Sequence, residues 1–315
     1  MRETELLRWL LDGDPAVRWQ VLRDLAGASA DAVAAERARV GVEGWGRRLL
    51  ERQGPDGRWS ADRGPAAYRG LYVPKWTSTT YTLLLLRRLG LPATDERARA
   101  GCRVLVEGAE WFASGGLGFF QARRVAEPCV SAMVLSILEA FACQSAARQQ
   151  LTRYLLSAQA EDGGWNCRLG SHHSAFASTC AALEALQRRR PPERLANAAA
   201  QGREFLLRHQ LCCSHRTGRP AGAGFLRLGP LIGWQYDVLR GLELFAGSGI
   251  PRDTRLERGL GVVLARRRRD GRWEGLAPPA GALHFALEPA GRPSRWTTLR
   301  CLRVLRWWEG GRPPT

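Results

Sequence analysis

The chain has 315 residues, of which 45% are hydrophobic and 24% charged, and it contains 12 tryptophans. This composition is typical of a folded protein and excludes a chain that is disordered throughout. No uncharged stretch reaches the ~18–20 residues that a membrane-spanning helix needs. The acidic first residues, MRETELL, are unlike the basic beginning of a signal peptide. We therefore expect a cytoplasmic protein without an integral membrane span.

The charge of the chain is strongly positive and almost entirely due to arginine. The formal net charge is +17, and all but one of the 47 basic residues are arginine. Arginine suits phosphate and carboxylate partners, so a polyanion partner is one explanation of this charge. The arginines are scattered along the chain, however, which favours a GC-rich genome as the reason for their number. We therefore expect no nucleic acid partner. The eight cysteines show no paired spacing, and we expect reduced thiols.

Residues 6–27 predict two short helices joined by an Asp-Gly-Asp-Pro turn. Asp14 has the residue type of a helix N-cap, and Pro15 fits the first helical position, where a backbone N–H is not needed. We assign residues 1–42 to an N-terminal helical hairpin that closes the fold.

Three nearly identical octapeptides follow at regular spacing, and each ends in Asp-Gly-x-Trp. Their tryptophans, Trp59, Trp165 and Trp273, are 106 and 108 residues apart. Half of this interval is a repeat of about 53 residues, and Gly-rich segments at 111–120 and 214–222 lie near the intermediate positions. The octapeptides are residues 52–59, 158–165 and 266–273.

Each turn is predicted to lie between an amphipathic outer helix and a nearly apolar inner helix. Asp-Gly favours a tight turn at a helix C-terminus, and the tryptophan can then pack between neighbouring helices. The predicted outer helices are 43–53, 95–109, 145–159, 194–209 and 252–268. The predicted inner helices are 77–90, 129–142, 174–186, 234–246 and 295–308.

These elements predict an all-α fold with six helical hairpins arranged in a ring, an (α/α)6 barrel or α/α toroid. The five repeats occupy residues 43–315, and with the N-terminal hairpin they form one domain. The segment DPAVRWQVLRDL has a HEAT-like character, so an open helical solenoid is the structural alternative.

The Gln-x-x-Asp-Gly-x-Trp turns resemble the QW repeats of squalene–hopene cyclases and of the β subunits of protein prenyltransferases. The chain is also similar to single-domain actinobacterial squalene cyclase-like proteins. The resemblance covers about residues 43–310 and implies a toroid of the terpenoid cyclase type with an apolar central cavity for an isoprenoid. The DxDD, DDxxD and Asp-x-Cys motifs of these and related enzymes are absent from the sequence. The resemblance therefore implies a fold without a mechanism.

Polar residues at the beginnings of the inner helices would face such a cavity, and three are candidate catalytic residues. Asp237 is a carboxylate that an apolar cavity would turn into a proton donor or base; its structural alternative is a helix N-cap. Glu127 lies at the matching end of another inner helix and can pair with Asp237, or cap its own helix. Lys75, the sole lysine, can hold an anionic head group or form a Schiff base.

Neighbouring aromatic and polar residues complete the predicted substrate-binding set, because π faces stabilise a carbocation. No metal or other cofactor is predicted. The alternative is a zinc site formed by Cys167, His172 and His173. The predicted substrate-binding residues are Trp76, Tyr81, His173, Trp234, Tyr236, Arg295 and Trp296.

The leading functional hypothesis is an isoprenoid-handling, terpene cyclase-like enzyme, an isomerase or lyase that uses acid/base or carbocation chemistry. Its partner would be a small hydrophobic molecule, with a diphosphate ester as one form. The alternative is a non-catalytic toroid that binds a hydrophobic ligand or a protein. The third hypothesis is a nucleic-acid-binding helical solenoid, which the net charge motivates.

Overall fold

The computed structural model describes residues 3–60, 69–119, 125–168, 170–187, 191–230 and 232–310. Nearly all regular structure in these residues is helical; a short antiparallel ribbon pairs β1 (Glu110–Trp111) with β2 (Leu117–Gly118). The helices are α1 (Glu3–Leu11), α2 (Pro15–Asp24), α3 (Ala30–Ala38), α4 (Gly44–Leu50), α5 (Thr79–Leu89), α6 (Glu96–Gly108), α7 (Pro128–Ala140), α8 (Ser145–Ser157), α9 (Phe176–Leu186), α10 (Glu193–Arg208), α11 (Val238–Ala246), α12 (Glu257–Ala265) and α13 (Arg295–Trp308).

Outer and inner helices alternate along the chain and form six hairpins within the described residues: α1/α2, α4/α5, α6/α7, α8/α9, α10/α11 and α12/α13. Consecutive inner helices pack against one another from α5 to α13, and α13 packs on α1 and α2. The Trp19 indole N–H, on α2, donates to the Leu89 carbonyl at the end of α5 at 2.8 Å. The predicted all-α toroid is therefore confirmed, and the open solenoid is wrong because the ring closes. The domain boundary at residue 42 stays a prediction.

The repeated tryptophans bind the outer and inner helix of one hairpin together. The Trp165 indole N–H donates to the Leu155 carbonyl at 2.8 Å, and its backbone N–H donates to the Thr179 hydroxyl at 3.0 Å. Gly163 in the turn has φ 90°, and a Cβ on Gly202 of the next outer helix would stand 2.7 Å from the Trp165 ring. Glycine is thus required at both positions. The same bonds join Trp59 to Leu49 and Thr79, and Trp273 to Val263 and Thr298.

The N-terminal region confirms the predicted N-cap Asp14 and contains one helix, α3, that the sequence pattern did not indicate. Asp14 caps α2, and its second oxygen accepts the Trp45 backbone N–H at 2.7 Å, which ties α2 to α4. Helix α3 was not predicted, because its residues form no apolar face and none is buried. It is held by α2 instead, where Arg18 and Glu36 form an ion pair at 2.6 Å.

Within the described residues, no helix combines the length and the apolar character needed to cross a membrane.

Candidate functional site at the mouth of the ring

The connection between α10 and α11 lies against three inner helices of the ring. We call residues 227–230 and 232–236 the plug segment. Arginines on three inner helices, α5, α11 and α13, donate to four of its main-chain carbonyls; Arg240 and Arg300 are buried, and Arg88 is half-buried. The bonds run from Arg88 Nη1 to Gly233 O (2.9 Å), from Arg240 Nη1 to Trp234 O and Gln235 O (both 2.8 Å), and from Arg300 Nη1 to Gly229 O (2.7 Å).

Two of these arginines are buried and form ion pairs with half-buried carboxylates. Together with Arg88 these residues make up the lumen cluster: Arg88, Glu184, Arg240, Glu243 and Arg300. Arg240 binds Glu184 through two bonds of 2.7 and 3.0 Å, and Arg300 approaches Glu243 to 2.7 Å. Burial acts to raise the pKa of Glu184, but the Arg240 charge and hydrogen bonds outweigh it and hold that pKa at about 2. Burial and the nearby Arg240 charge lower the pKa of Arg88 to about 9. This part of the ring interior is therefore ionic, and the expected apolar central cavity stays a prediction.

Apolar space exists instead at the mouth, where the inner helices begin. A cavity of about 40 Å³, the mouth cavity, is lined by Trp76, Leu85, Phe285 and Trp296 among other residues. A groove of about 480 Å³, the mouth groove, lies beside it. The two share part of their lining, so a ligand can contact both. The shared residues are Pro230, Ile232, Leu276 and Pro278.

Asp237 lines the mouth groove and begins α11. The side chain is 6% exposed. Its Oδ1 accepts the Arg240 N–H as an N-cap, and its Oδ2 accepts the Gly229 N–H, both at 2.8 Å. Burial raises the pKa of the Asp237 carboxyl, while the Arg300 charge and these two bonds oppose the shift. Asp237 thus combines the N-cap role with a position facing the groove.

Glu127 and Lys75 do not line the mouth groove with Asp237. Glu127 is buried at the N-cap position of α7. Burial, and then the Glu127 charge, raise the pKa of Tyr154 to about 12. Lys75 is exposed, with Nζ 5.6 Å from the centroid of the Trp234 ring. An exposed ammonium lacks the desolvation that favours a Schiff-base lysine. Binding of an anionic head group by Lys75 stays a prediction.

Most of the predicted aromatic residues do meet at the mouth. Trp76 and Trp296 line the cavity, and Trp234 and Tyr236 line the groove. Trp234 is 41% exposed, whereas the other three are buried. Tyr81 packs edge-on against Trp76 with the ring centroids 5.0 Å apart.

Arg295 and His173 are placed elsewhere. Arg295 Nε donates to the Trp9 carbonyl at 2.8 Å, and the guanidinium lies 4.8 Å from the Trp9 ring centroid, so this side chain holds α13 to α1. His173 is exposed in a separate surface groove with His209 and His215.

The zinc alternative is not formed. Cys167 is joined to Cys129 in a disulfide across a separation of 38 residues, so its sulfur is not free to bind a metal. Among the described residues, no group of three or more His, Cys, Asp or Glu side chains could hold a metal ion. The disulfide also makes the expectation of reduced thiols wrong for Cys129 and Cys167.

The structure adds His284, which the sequence did not indicate, to the mouth cavity. Its Nε2 lies 2.8 Å from the Thr82 hydroxyl, and that hydroxyl donates its proton to the Ser78 carbonyl at 2.9 Å. His284 must therefore donate from Nε2, which leaves Nδ1 as an acceptor. Burial, aided by the Arg52 charge, lowers the pKa of His284 to about 4. The residue lies in an irregular loop, where no periodicity could have indicated its position.

No family model matches the chain, and no curated protein matches it. Among solved structures, the chain is similar to the type II terpene cyclase MstE from Scytonema in its apo form, with a TM-score of 0.46, 18% identity, and coverage of 93% of this chain and 88% of that chain. It is also similar to a variant of MstE in complex with geranylgeranyl dihydroxybenzoate, with a TM-score of 0.48, 18% identity, and coverage of 93% and 86%.

Proposed function

We propose that the mouth cavity and mouth groove bind a hydrophobic molecule of isoprenoid type, and that the protein is a terpene cyclase-like enzyme with Asp237 as its acid. The observation that carries this proposal is the position of Asp237: a buried carboxyl whose pKa is raised, lining an aromatic groove of about 480 Å³. That volume lies within the roughly 300–1,000 Å³ of small-molecule sites.

The proposed chemistry begins with proton donation. The raised pKa of Asp237 favours its protonated form, which can give its proton to an alkene carbon, and the π faces of Trp234, Tyr236 and Phe225 around the groove would stabilise the resulting cation. Oδ1 caps α11, so Oδ2 is the proton-carrying oxygen and must part from the Gly229 N–H. The neutral His284 in the adjoining cavity offers Nδ1 as the base that removes the final proton.

The test uses farnesol, geranylgeraniol and their diphosphates, with products identified by gas chromatography and mass spectrometry. The wild-type protein is expected to give a cyclised product, and Asp237→Asn to abolish it, since an amide keeps the cap but cannot donate this proton. Asp95→Asn is the matched control, because Asp95 caps α6 outside the mouth. Turnover that survives in Asp237→Asn would contradict the assigned acid.

A second candidate function is non-catalytic binding of a hydrophobic ligand. It is favoured by one observation: both oxygens of Asp237 already accept main-chain N–H bonds, as a purely structural carboxylate would. This candidate predicts a ligand that is retained through purification without turnover. Retention would be unchanged in Asp237→Asn and reduced in Trp234→Ala, as native mass spectrometry can measure.

A further inference from the structure

Four of the five histidines of the chain line one surface groove, which we call the histidine groove. It has a volume of about 470 Å³ and lies at the end of α10. Among the described residues, it shares no lining residue with the mouth cavity or the mouth groove. Imidazole is the commonest metal ligand among protein side chains, so the geometry of these histidines decides whether the groove can bind a metal ion. They are His172, His173, His209 and His215.

Two of these histidines bring their ring nitrogens together. His209 Nε2 lies 2.9 Å from His215 Nδ1. The other nitrogen of His209, Nδ1, donates to the Phe205 carbonyl at 2.7 Å, so in the neutral ring Nε2 carries no proton and presents a lone pair. A metal-ligating histidine almost always donates its second ring N–H in this way, because the bond fixes both the tautomer and the orientation of the ring. His209 therefore has the bonding pattern of a metal ligand.

The distance between the two nitrogens selects the kind of metal ion. With metal–nitrogen bonds of about 2.0–2.1 Å, two nitrogens 2.9 Å apart subtend an angle of about 90° at the metal. Two nitrogen ligands of a tetrahedral ion such as Zn²⁺ would be about 3.3–3.4 Å apart. A right angle is typical of square-planar and tetragonal ions with nitrogen and oxygen ligands, which are Cu²⁺ and Ni²⁺, and Cu²⁺ binds such ligands more tightly.

The turn that carries both histidines is held by bonds in which neither imidazole takes part. The Cys213 backbone N–H donates to the His209 carbonyl at 2.7 Å, and the Tyr236 hydroxyl donates to the Leu211 carbonyl at 2.8 Å. Gln210 and Leu211 both adopt left-handed backbone conformations, with φ of 46° and 64°. Such conformations persist in residues other than glycine only where the surrounding structure holds them. The two ligands are thus placed before an ion binds, which lowers the entropic cost of binding.

The charges around the groove act in both directions. Arg208 and Arg216 line it and oppose a cation, whereas the Asp162 carboxylate favours one. His215 is exposed, so an ion can reach the pair from solvent. In the described part of the chain, no group of three or more His, Cys, Asp or Glu side chains could hold a metal ion. The pair therefore supplies two ligands, and water has to supply the others.

We propose that His209 and His215 form a binding site for Cu²⁺, with water in the remaining coordination positions. In the neutral pair the shared proton belongs to His215 Nδ1, and binding moves it to Nε2 of the same ring. Both rings stay neutral, and no proton is gained or lost. This inference is independent of the proposed function at the mouth.

The experiment titrates the whole protein, purified without a histidine tag, with Cu²⁺ at neutral pH. Pulsed electron paramagnetic resonance detects each coordinated imidazole and is expected to find two in the wild type. His215→Ala should weaken binding at least about tenfold and leave no more than one imidazole on the ion. Because His215 is exposed, this variant should fold as the wild type does. His172→Ala is the matched control, since His172 is exposed in the same groove outside the pair, and it should bind as the wild type does.

A second measurement uses Ni²⁺, which thiols do not reduce, and follows binding by calorimetry. The wild type should bind Ni²⁺, and His215→Ala should again lose at least about tenfold in affinity. The proposal is overturned if His215→Ala binds both ions as tightly as the wild type, or if His172→Ala loses as much affinity as His215→Ala. It is also overturned if no imidazole is found on the Cu²⁺ bound to the wild type.

Discussion

The mouth and the lumen of the ring are built from the same inner helices but hold opposite chemistry. At the mouth, Trp76 and Trp296 border apolar space that nothing in the described structure fills. In the lumen, Arg240 and Arg300 are buried against Glu184 and Glu243 and against the plug segment. The difference shows that a helical ring does not by itself create an apolar cavity. Residues one or two turns apart on the same inner helix decide whether that part of the helix lines apolar space or an ionic cluster.

The largest expected effect is in the lumen cluster. Glu184→Gln leaves the Arg240 charge buried without its carboxylate, and loss of one partner of a buried pair costs about 3–5 kcal/mol of stability. Urea denaturation measures this loss. Glu204→Gln is the matched control, because its ion pair with Arg255 is exposed and contributes under about 1 kcal/mol. Equal effects of the two variants would contradict the contrast between lumen and surface.

Acid should act on the same pair. The pKa of Glu184 is about 2 in the folded protein, below its ordinary value of 4.5, so the unfolded chain binds more protons between these values. The stability that this carboxylate contributes is present above about pH 4.5 and is lost as the pH falls toward 2. The stability difference between wild type and Glu184→Gln should therefore shrink over that window, as denaturation at several pH values can measure. A constant difference would contradict the shifted pKa.

A smaller effect on stability is expected at the mouth. Trp234 is 41% exposed, so Trp234→Ala should cost no more than about 1 kcal/mol. Trp165→Ala, at a residue that is fully buried in a repeat turn, should cost about 3–5 kcal/mol. Thermal unfolding compares the two. If Trp234→Ala bound farnesol as well as the wild type, the mouth groove would not be the ligand site.

The smallest expected effect concerns His284. Its pKa of about 4 is below the ordinary 6.5, so between these values the unfolded chain holds the extra proton. The stability due to the neutral imidazole is present above about pH 6.5 and is lost as the pH falls toward 4. Nitrogen-15 NMR should find the proton on Nε2 from pH 8 down to about 5. A ring that titrates near pH 6.5 would place His284 outside the buried cavity.

The sequence predicted the helices and turns well because those features depend on local pattern. Asp14 was recognised as an N-cap from its own position before Pro15, and the repeated tryptophans indicated the hairpins. Helix α3 could not be predicted from periodicity, because it has no apolar face. Its helical state depends on the helix propensity of its residues and on contacts with α2.

The candidate site could be predicted only in part. Trp76, Trp234, Tyr236 and Trp296 were expected near the substrate and do border the mouth. His284 was missed because its loop follows no helical register, and its hydrogen-bond partner Thr82 is 202 residues away in the chain.

The sequence by itself determined an all-α chain of repeated hairpins, since helix periodicity, caps and Asp-Gly-Trp turns act over short distances. Only the tertiary structure decided what lies against the inner helices. Arg88 donates to a main-chain carbonyl of the plug segment. This bond depends on how a long, irregular connection folds across the inner helices. Such a connection has no periodicity, and its path is set by buried donors and acceptors that must find each other in three dimensions.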